Sequence, residues 1–450
     1  MQALRDPPAP PLLKASALGS AAKIGAETAS LPVWFLNELA LRHFARWGAL
    51  KLHEVTHHLG LPAPAVEGLL AHMRTLALLE VPSCGSMVFD MSYVLTEVGQ
   101  HQARLALDKC QYVGPAPVTL PEYAAQVFAQ NRRLEPIRAA CLKQAMADLV
   151  FDPAMLPTLG GALNSGKAIY LYGASGTGKT YLAEHLVKAQ EGHIWVPHAI
   201  FVDGEVIRVY DPIVHRRVPL APAVARRLAR ELSLDGRWVR TLRPVVIAGS
   251  ELTLEMLSLQ HDPHTRMHVA PPQLKANNGI FVVDDLGRQR VSLRELTNRW
   301  LVPLDRHVDH LALITGTKFA VPFDVSLVFS SNLTPYELSN PSFVRHLGYK
   351  IQLVSLDAEA YRVVVKQACA RAKVPHDAVA IDFLVNTLHL RDAQPYLPCL
   401  PYNMISKIAD RARYLEESAR LTPELLEWAW QTYFGTESPV SPYELPIGGN

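Results

Sequence analysis

Several residue groups in this chain have types and spacings suited to chemistry on a phosphate ester. The first is GASGTGKT: Gly173, four residues, Gly178, Lys179 and Thr180. Glycines at this spacing let backbone amides approach phosphate oxygens. The lysine brings positive charge to the β and γ phosphates, and the threonine hydroxyl is a Mg²⁺ ligand. Ser175, Gly176 and Thr177 complete the loop. AIYLY before it reads as a buried strand and TYLAEHLVKA after it as a helix. That strand–loop–helix context is what a phosphate cradle needs, because the helix N-terminus also favours anions. A glycine-rich turn with a surface lysine is the plainer alternative, and the context counts against it.

The second group is GIFVVDD, an apolar run ending in Asp284 and Asp285. Beside a phosphate cradle, Asp284 is placed to hold Mg²⁺ through water. Asp285 is the candidate base for an attacking water. Nucleotide hydrolases often carry glutamate at the second position, and aspartate is one methylene shorter. The pair therefore poses a choice between hydrolysis and binding alone. Two further polar residues follow apolar stretches: Asn332 closes VSLVFSSN, and Arg345 lies in PSFVRHLGYKIQL.

Phosphate loop, acidic strand end, polar strand end and arginine, in this order, resemble the AAA+ ATPases. The resemblance covers about 130–435 and implies a five-stranded sheet in the order 5-1-4-3-2. It also implies ATP and Mg²⁺ as ligands, with ATP bound between subunits of a ring, usually a hexamer. By position, Asn332 matches the sensor that orients the attacking water. Arg345 matches the arginine finger, which reaches the γ-phosphate held by a neighbouring subunit. Two departures stand out. The finger is the pair Arg345-His346 rather than two arginines. Tyr402 and Asn403 stand where the lid helix of the family usually offers a basic residue, and Arg391 is the one candidate substitute. With Lys179, Thr180, Asp284, Asn332 and Arg345 all present, hydrolysis is expected, at a slow rate.

The elements that must position these residues are legible as a series of segments. At 450 residues, about three domains are expected. Residues 1–30 read as a mobile leader. Residues 31–110 read as three helices followed by a strand pair and a helix, a pattern resembling a winged helix-turn-helix. The Pro-containing stretch 111–130 reads as a linker, running into a helical stretch over about 122–150. Residues 131–355 read as an α/β ATPase core of the P-loop class with a parallel sheet, carrying an insert at 187–275. Residues 356–435 read as a helical lid, and 436–450 as a frayed tail. In the insert, IWVPHAIFVDGEVIRVYDP predicts a hairpin turning at Asp203-Gly204. Leu257–Val269 is the pore-loop candidate, with a plain surface loop as the equal alternative.

Composition narrows the partners. Hydrophobic residues make up 49% and the formal net charge is +2, so no polyanion is demanded by overall charge. Five cysteines (Cys84, Cys110, Cys141, Cys369, Cys399) form no CxxC pair, which fits a reducing cytoplasm and no zinc site. No apolar run approaches a membrane span. Residues 205–245 hold nine arginines and no lysine, with pairs at Arg216-Arg217 and Arg226-Arg227. They read as a solvated face with interfacial ion pairs, ahead of subunit contacts to nucleotide or a nucleic-acid track. From 31 to 110 there are six Lys/Arg and seven Asp/Glu. A groove reader concentrates basic residues there. The expected function is therefore an ATP-hydrolysing AAA+ homo-oligomer that remodels a protein recruited through the N-terminal domain. The alternatives are a DNA-directed ATPase and an ATP-binding assembly switch with little turnover.

Overall fold

The computed structural model describes residues 31–82, 91–131, 136–189, 192–219, 235–338 and 340–435. The expected leader, the tail and the Arg226-Arg227 pair lie outside the described residues.

A parallel sheet of five strands lies at the centre. Labelled along the chain, these are β1 (Ala168–Tyr172), β2 (Val245–Ala248), β3 (Ile280–Val283), β4 (Ser326–Ser331) and β5 (Leu347–Gln352). Their order is β2-β3-β4-β1-β5, every pair parallel, which is the order the resemblance implied. Strand side chains alternate between faces, so each apolar strand feeds two cores. Phe281 and Val283 of β3 enter one core with Trp300, Leu327 and Phe329. Ile280 and Val282 enter the other with Leu163, Leu182 and Val328. All four β3 side chains are fully buried. Each such burial contributes about 1.5–3 kcal/mol over exposure. Helices Leu156–Ser165 and Lys179–Lys188 cover the second core, and helices Leu293–Arg306 and Pro341–His346 the first.

The C-terminal region is helical, as its periodicity predicts. Helices Ala358–Ala372, Ala378–Phe383, Cys399–Tyr414 and Pro423–Phe434 surround a core in which His389 Nε2 lies 2.8 Å from the Tyr361 hydroxyl. Thr422 caps the last helix with Pro423 in its first turn.

At the N-terminus, helices Val33–Trp47, Leu52–Leu59, Ala63–Thr75 and Glu97–Lys109 accompany an antiparallel sheet of three short strands. Ser92–Leu95 falls in the stretch expected as a strand pair, of which residues 83–90 lie outside the described residues. Its partners Leu79–Glu80, which the sequence reading gives to the third helix, and Leu50–Lys51 are strands that sequence did not reveal. Gly48 and Gly60, at φ +76° and +64°, end the first two helices, as their positions predict.

The stretch expected as a linker contains ordered elements. Val118–Thr119 pairs parallel with Ala199–Val202, and Leu120–Ala129 is a helix opened by a Thr119/Glu122 capping box. Its proline, Pro121, sits in the first helical turn, where the missing N–H costs nothing. The helix agrees with the helical stretch expected from about residue 122, whereas the strand is concealed by the proline-rich composition.

The insert's hairpin turns at Asp203-Gly204, both at positive φ. It joins a second five-stranded sheet with Val118–Thr119, Met267–Val269 and Gln260–Asp262. The pore-loop candidate is thus a hairpin rather than a free loop. The Gln111 amide donates to the Thr265 carbonyl at 2.9 Å, and Met267 packs into the N-terminal core. Another hairpin, Val308–Ala312 with Lys318–Pro322, intervenes between β3 and β4. Its Thr317 hydroxyl donates to Asp203 at 2.8 Å.

Candidate nucleotide and metal site

The loop of residues 173–178 connects β1 to helix Lys179–Lys188. Gly173, Gly176 and Gly178 stand at φ +144°, +84° and +90°, conformations that other residues adopt only under strain. A Cβ on Gly173 would lie 2.1 Å from the Leu353 carbonyl, and one on Gly176 would lie 2.5 Å from Cys399 Sγ. The loop is therefore seated between the segment after β5 and the first turn of a lid helix. Thr177 is buried and its hydroxyl donates to the Ala174 carbonyl at 2.9 Å, closing the turn. Ser175 is exposed.

Lys179 is buried, and its ammonium donates to the carbonyls of Gly173 (2.9 Å) and Ala174 (2.8 Å) and to Asn332 Oδ1 (2.9 Å). Burial pushes the lysine below its ordinary pKa, against the opposing pull of Asp285 and Asp284. Thr180 donates to Asp284 Oδ2 at 2.7 Å. The loop, the acidic strand end and the polar strand end thus meet around one lysine.

Asp284 directly follows β3, and its amide donates to the Ala248 carbonyl at 2.8 Å. Its Oδ1 is buried with no hydrogen-bond partner. An orphaned carboxylate oxygen beside a threonine hydroxyl is a hard-oxygen donor pair, and it fits Mg²⁺. That ion takes one or two protein oxygens and completes its shell with water and phosphate. Among the described residues there is no group of three or more His, Cys, Asp and Glu that could cage a metal. Asp285 adopts φ +51°, and its half-exposed carboxylate lies 3.9 Å from the exposed Arg288 guanidinium. Such a pair contributes little, so the carboxylate remains free to act.

The turn after Asp284 is held from two sides. From β4, the Ser330 carbonyl accepts from the Leu286 amide at 2.7 Å, and the Ser331 hydroxyl donates to the Leu286 carbonyl at 2.6 Å. From within, Gln289 is nearly buried. Its Oε1 accepts from the Gly287 amide at 2.9 Å, and its Nε2 donates to the carbonyls of Asp284 (2.9 Å) and Gly249 (3.2 Å). Sequence reading passed over Gln289, Ser331 and Cys399. A glutamine in GRQRVS carries no spacing signal, and the contacts of the other two are long-range.

Arg345 is not drawn into this cluster. It lies in the last turn of helix Pro341–His346, exposed, with no hydrogen bond or ion pair to another described residue. Arg391 is committed elsewhere, to Asp392 at 2.9 Å and Glu427 at 3.0 Å. The substitute role expected for it lacks support, because two lid acids hold its guanidinium. The Arg371 guanidinium lies 5.8 Å from the centre of the Tyr402 ring. In the arginine-rich stretch, Arg237 is buried against Asp235 and Glu122, and buried Arg243 donates to the carbonyls of Gln130 and Asn278. These two are internal ties.

Among the described residues no helix is long and apolar enough to cross a membrane. Residues 357–432 match a family described as a domain of unknown function, DUF8689. No curated protein matches the chain. Among solved structures, the chain is similar to the Thermotoga maritima RuvB Holliday junction branch migration motor, at 11% identity and a TM-score of 0.37, over 65% of this chain and 73% of that one. It is also similar to NtrX from Brucella abortus, at 15% identity and a TM-score of 0.41, over 67% of this chain and 60% of that one. An NtrX structure in complex with ADP is similar at 16% identity and a TM-score of 0.39, over 68% of this chain and 62% of that one.

Proposed function

We propose that this protein binds and hydrolyses ATP in the manner of AAA+ ATPases, as a homo-oligomer that remodels a protein partner. The observation that carries the reading is the convergence on Lys179: its ammonium lies 2.9 Å from Asn332 Oδ1, while Thr180 lies 2.7 Å from Asp284 Oδ2. Residues distant in the chain but matched to one chemistry meet at one point.

In this reading the amides of residues 173–180 and Lys179 take the phosphates. Thr180 and Asp284 hold Mg²⁺, which when bound neutralises phosphate charge. Asn332 orients a water molecule and Asp285 accepts its proton. The water oxygen bonds to the γ-phosphorus as the bond to the ADP oxygen breaks. Arg345 acts across a subunit boundary, which accords with its exposure and lack of internal partners. The near balance of charge in residues 31–110 favours a protein over DNA as the partner. The helices and three-stranded sheet of that region are the elements a winged domain uses.

Phosphate release from Mg²⁺-ATP at several protein concentrations tests the proposal. Turnover should rise with concentration and be lost in Lys179→Ala and Arg345→Ala. Asp285→Asn should lower it at least about a hundredfold. Near-normal turnover in Asp285→Asn would remove that residue from the mechanism, and ATP binding without turnover would favour the assembly switch. Salt-sensitive binding to duplex DNA would favour the DNA-directed alternative.

A further inference from the structure

We propose that Gln289 is the positioning residue for the metal-binding turn, a side-chain clamp that sets the directions of both Asp284 and Asp285. Its functional consequence rests on the nucleotide reading above, whereas its structural consequence does not. The backbone from Asp284 to Arg288 holds two residues at positive φ, Asp285 at +51° and Gly287 at +103°. A non-glycine residue in that region persists only where its surroundings over-determine it.

The surroundings here are specific. The ladder between β2 and β3 makes a last bond from the Asp284 amide to the Ala248 carbonyl. Past that point the Gly249 and Asp284 carbonyls have no strand between them to accept from. The Gln289 carboxamide fills the gap. It donates to both carbonyls and accepts from the Gly287 amide. The reverse amide orientation would set oxygen against two carbonyls and NH₂ against an N–H, so only one orientation satisfies the site.

Serine contacts from β4 anchor Leu286, one residue beyond Asp285. They leave the Asp284 carbonyl and the Gly287 amide to Gln289 alone. With the Asp284 carbonyl fixed, its side chain stays against Thr180. The Arg288 amide closes the turn on the Asp285 carbonyl at 2.9 Å, and the Gln289 bond to the Gly287 amide braces that turn with the left-handed Asp285 inside it. Gln289 touches neither the phosphates nor a metal. It acts through the two acids, as groups beyond the ligands of a metal site do.

The test compares wild type, Gln289→Met and Gln289→Glu as full-length protein. Methionine keeps the volume and loses all three bonds, and glutamate keeps an acceptor for Gly287 while losing both donors. Hydrogen exchange without nucleotide should rise about tenfold in peptides spanning 284–290 of Gln289→Met, and stay nearer wild type at Gly287 in Gln289→Glu. In both variants, the Mg²⁺ concentration giving half-maximal binding of a fluorescent ATP analogue should rise about tenfold or more. Binding without Mg²⁺ and the melting temperature should change little. Wild-type exchange and Mg²⁺ response in Gln289→Met would overturn the proposal, as would a fall in melting temperature that accounts for the exchange increase across the whole chain. If wild type shows no turnover, the ATPase reading fails, while exchange and Mg²⁺-dependent binding still decide the role of Gln289.

Discussion

At the scale of single residues, the shorter acid at position 285 has a conformational reason. Asp285 stands at φ +51°. Aspartate tolerates the left-handed region better than longer side chains, because its short carboxylate can bond locally. Glutamate would bring a longer reach but a poorer backbone fit. Asp285→Glu is expected to cost about 1 kcal/mol of stability and to leave turnover no faster than wild type. Thermal unfolding and phosphate release measure both. A faster, equally stable variant would show that the backbone does not select aspartate. The same scale explains Lys179, whose burial against two carbonyls and one carboxamide holds its ammonium at a fixed point.

At the scale of elements, the phosphate loop and the lid share a contact that couples them. Gly176 combines φ +84° with an approach of Cys399 that leaves no room for a methyl group. Gly176→Ala should therefore both strain the loop, by about 1–2 kcal/mol, and displace the first turn of helix Cys399–Tyr414. ATP affinity should fall about tenfold or more on the same estimate. Equilibrium binding of a fluorescent analogue reports this, and an unchanged affinity would show that the lid yields freely. The hairpin Val308–Ala312/Lys318–Pro322 is a second coupled element. Asp309 at its base is buried and ion-paired to Arg299 on the helix that follows the acidic turn, at 2.7 Å.

At the scale of the whole molecule, the N-terminal region and the insert are joined backbone to backbone. The Gly236 amide donates to the Gly60 carbonyl at 3.1 Å, and a Cβ on Gly236 would lie 2.7 Å from Gly60 Cα. Phe35 and Phe201 also meet between these regions, with ring centres 4.5 Å apart and planes tilted by 50°. Gly236→Ala is expected to loosen this contact, seen as faster hydrogen exchange in residues 57–62 and 235–240 with little change around residues 280–284. Uniform exchange would place the two regions in one cooperative unit. Acid should act at this scale too. Burial holds His43, His198 and His215 down to about 4. Their unfolded value is about 6.5. The unfolded chain therefore binds protons first, and stability falls as pH drops from about 6.5 to about 4, by up to about 3 kcal/mol for each histidine. A melting temperature that is flat across this window would contradict the burial of these rings.

What the sequence determined by itself is what depends on neighbours along the chain. GASGTGKT between a strand and a helix specifies its loop because the glycine spacing is local. GIFVVDD specifies a buried strand because alternate side chains must feed two cores. Asp203-Gly204 specifies a hairpin turn, and the lid periodicity specifies helices. The tertiary structure decided what depends on residues far apart. Lys179 meets Asn332 across a separation of 153 positions. Arg391 is taken by its neighbour Asp392 and by Glu427, 36 positions away, and only the first of these partners stands in HLRDAQPY. The strand Val118–Thr119 depends on pairing with Ala199–Val202, which its proline-rich surroundings concealed. Gln289 gained its place only once Gly249 and Asp284 ended adjacent strands. Backbone preference acts over a few residues and can be read in order. The partners that satisfy a buried amide, carbonyl or charge are chosen by the packed fold.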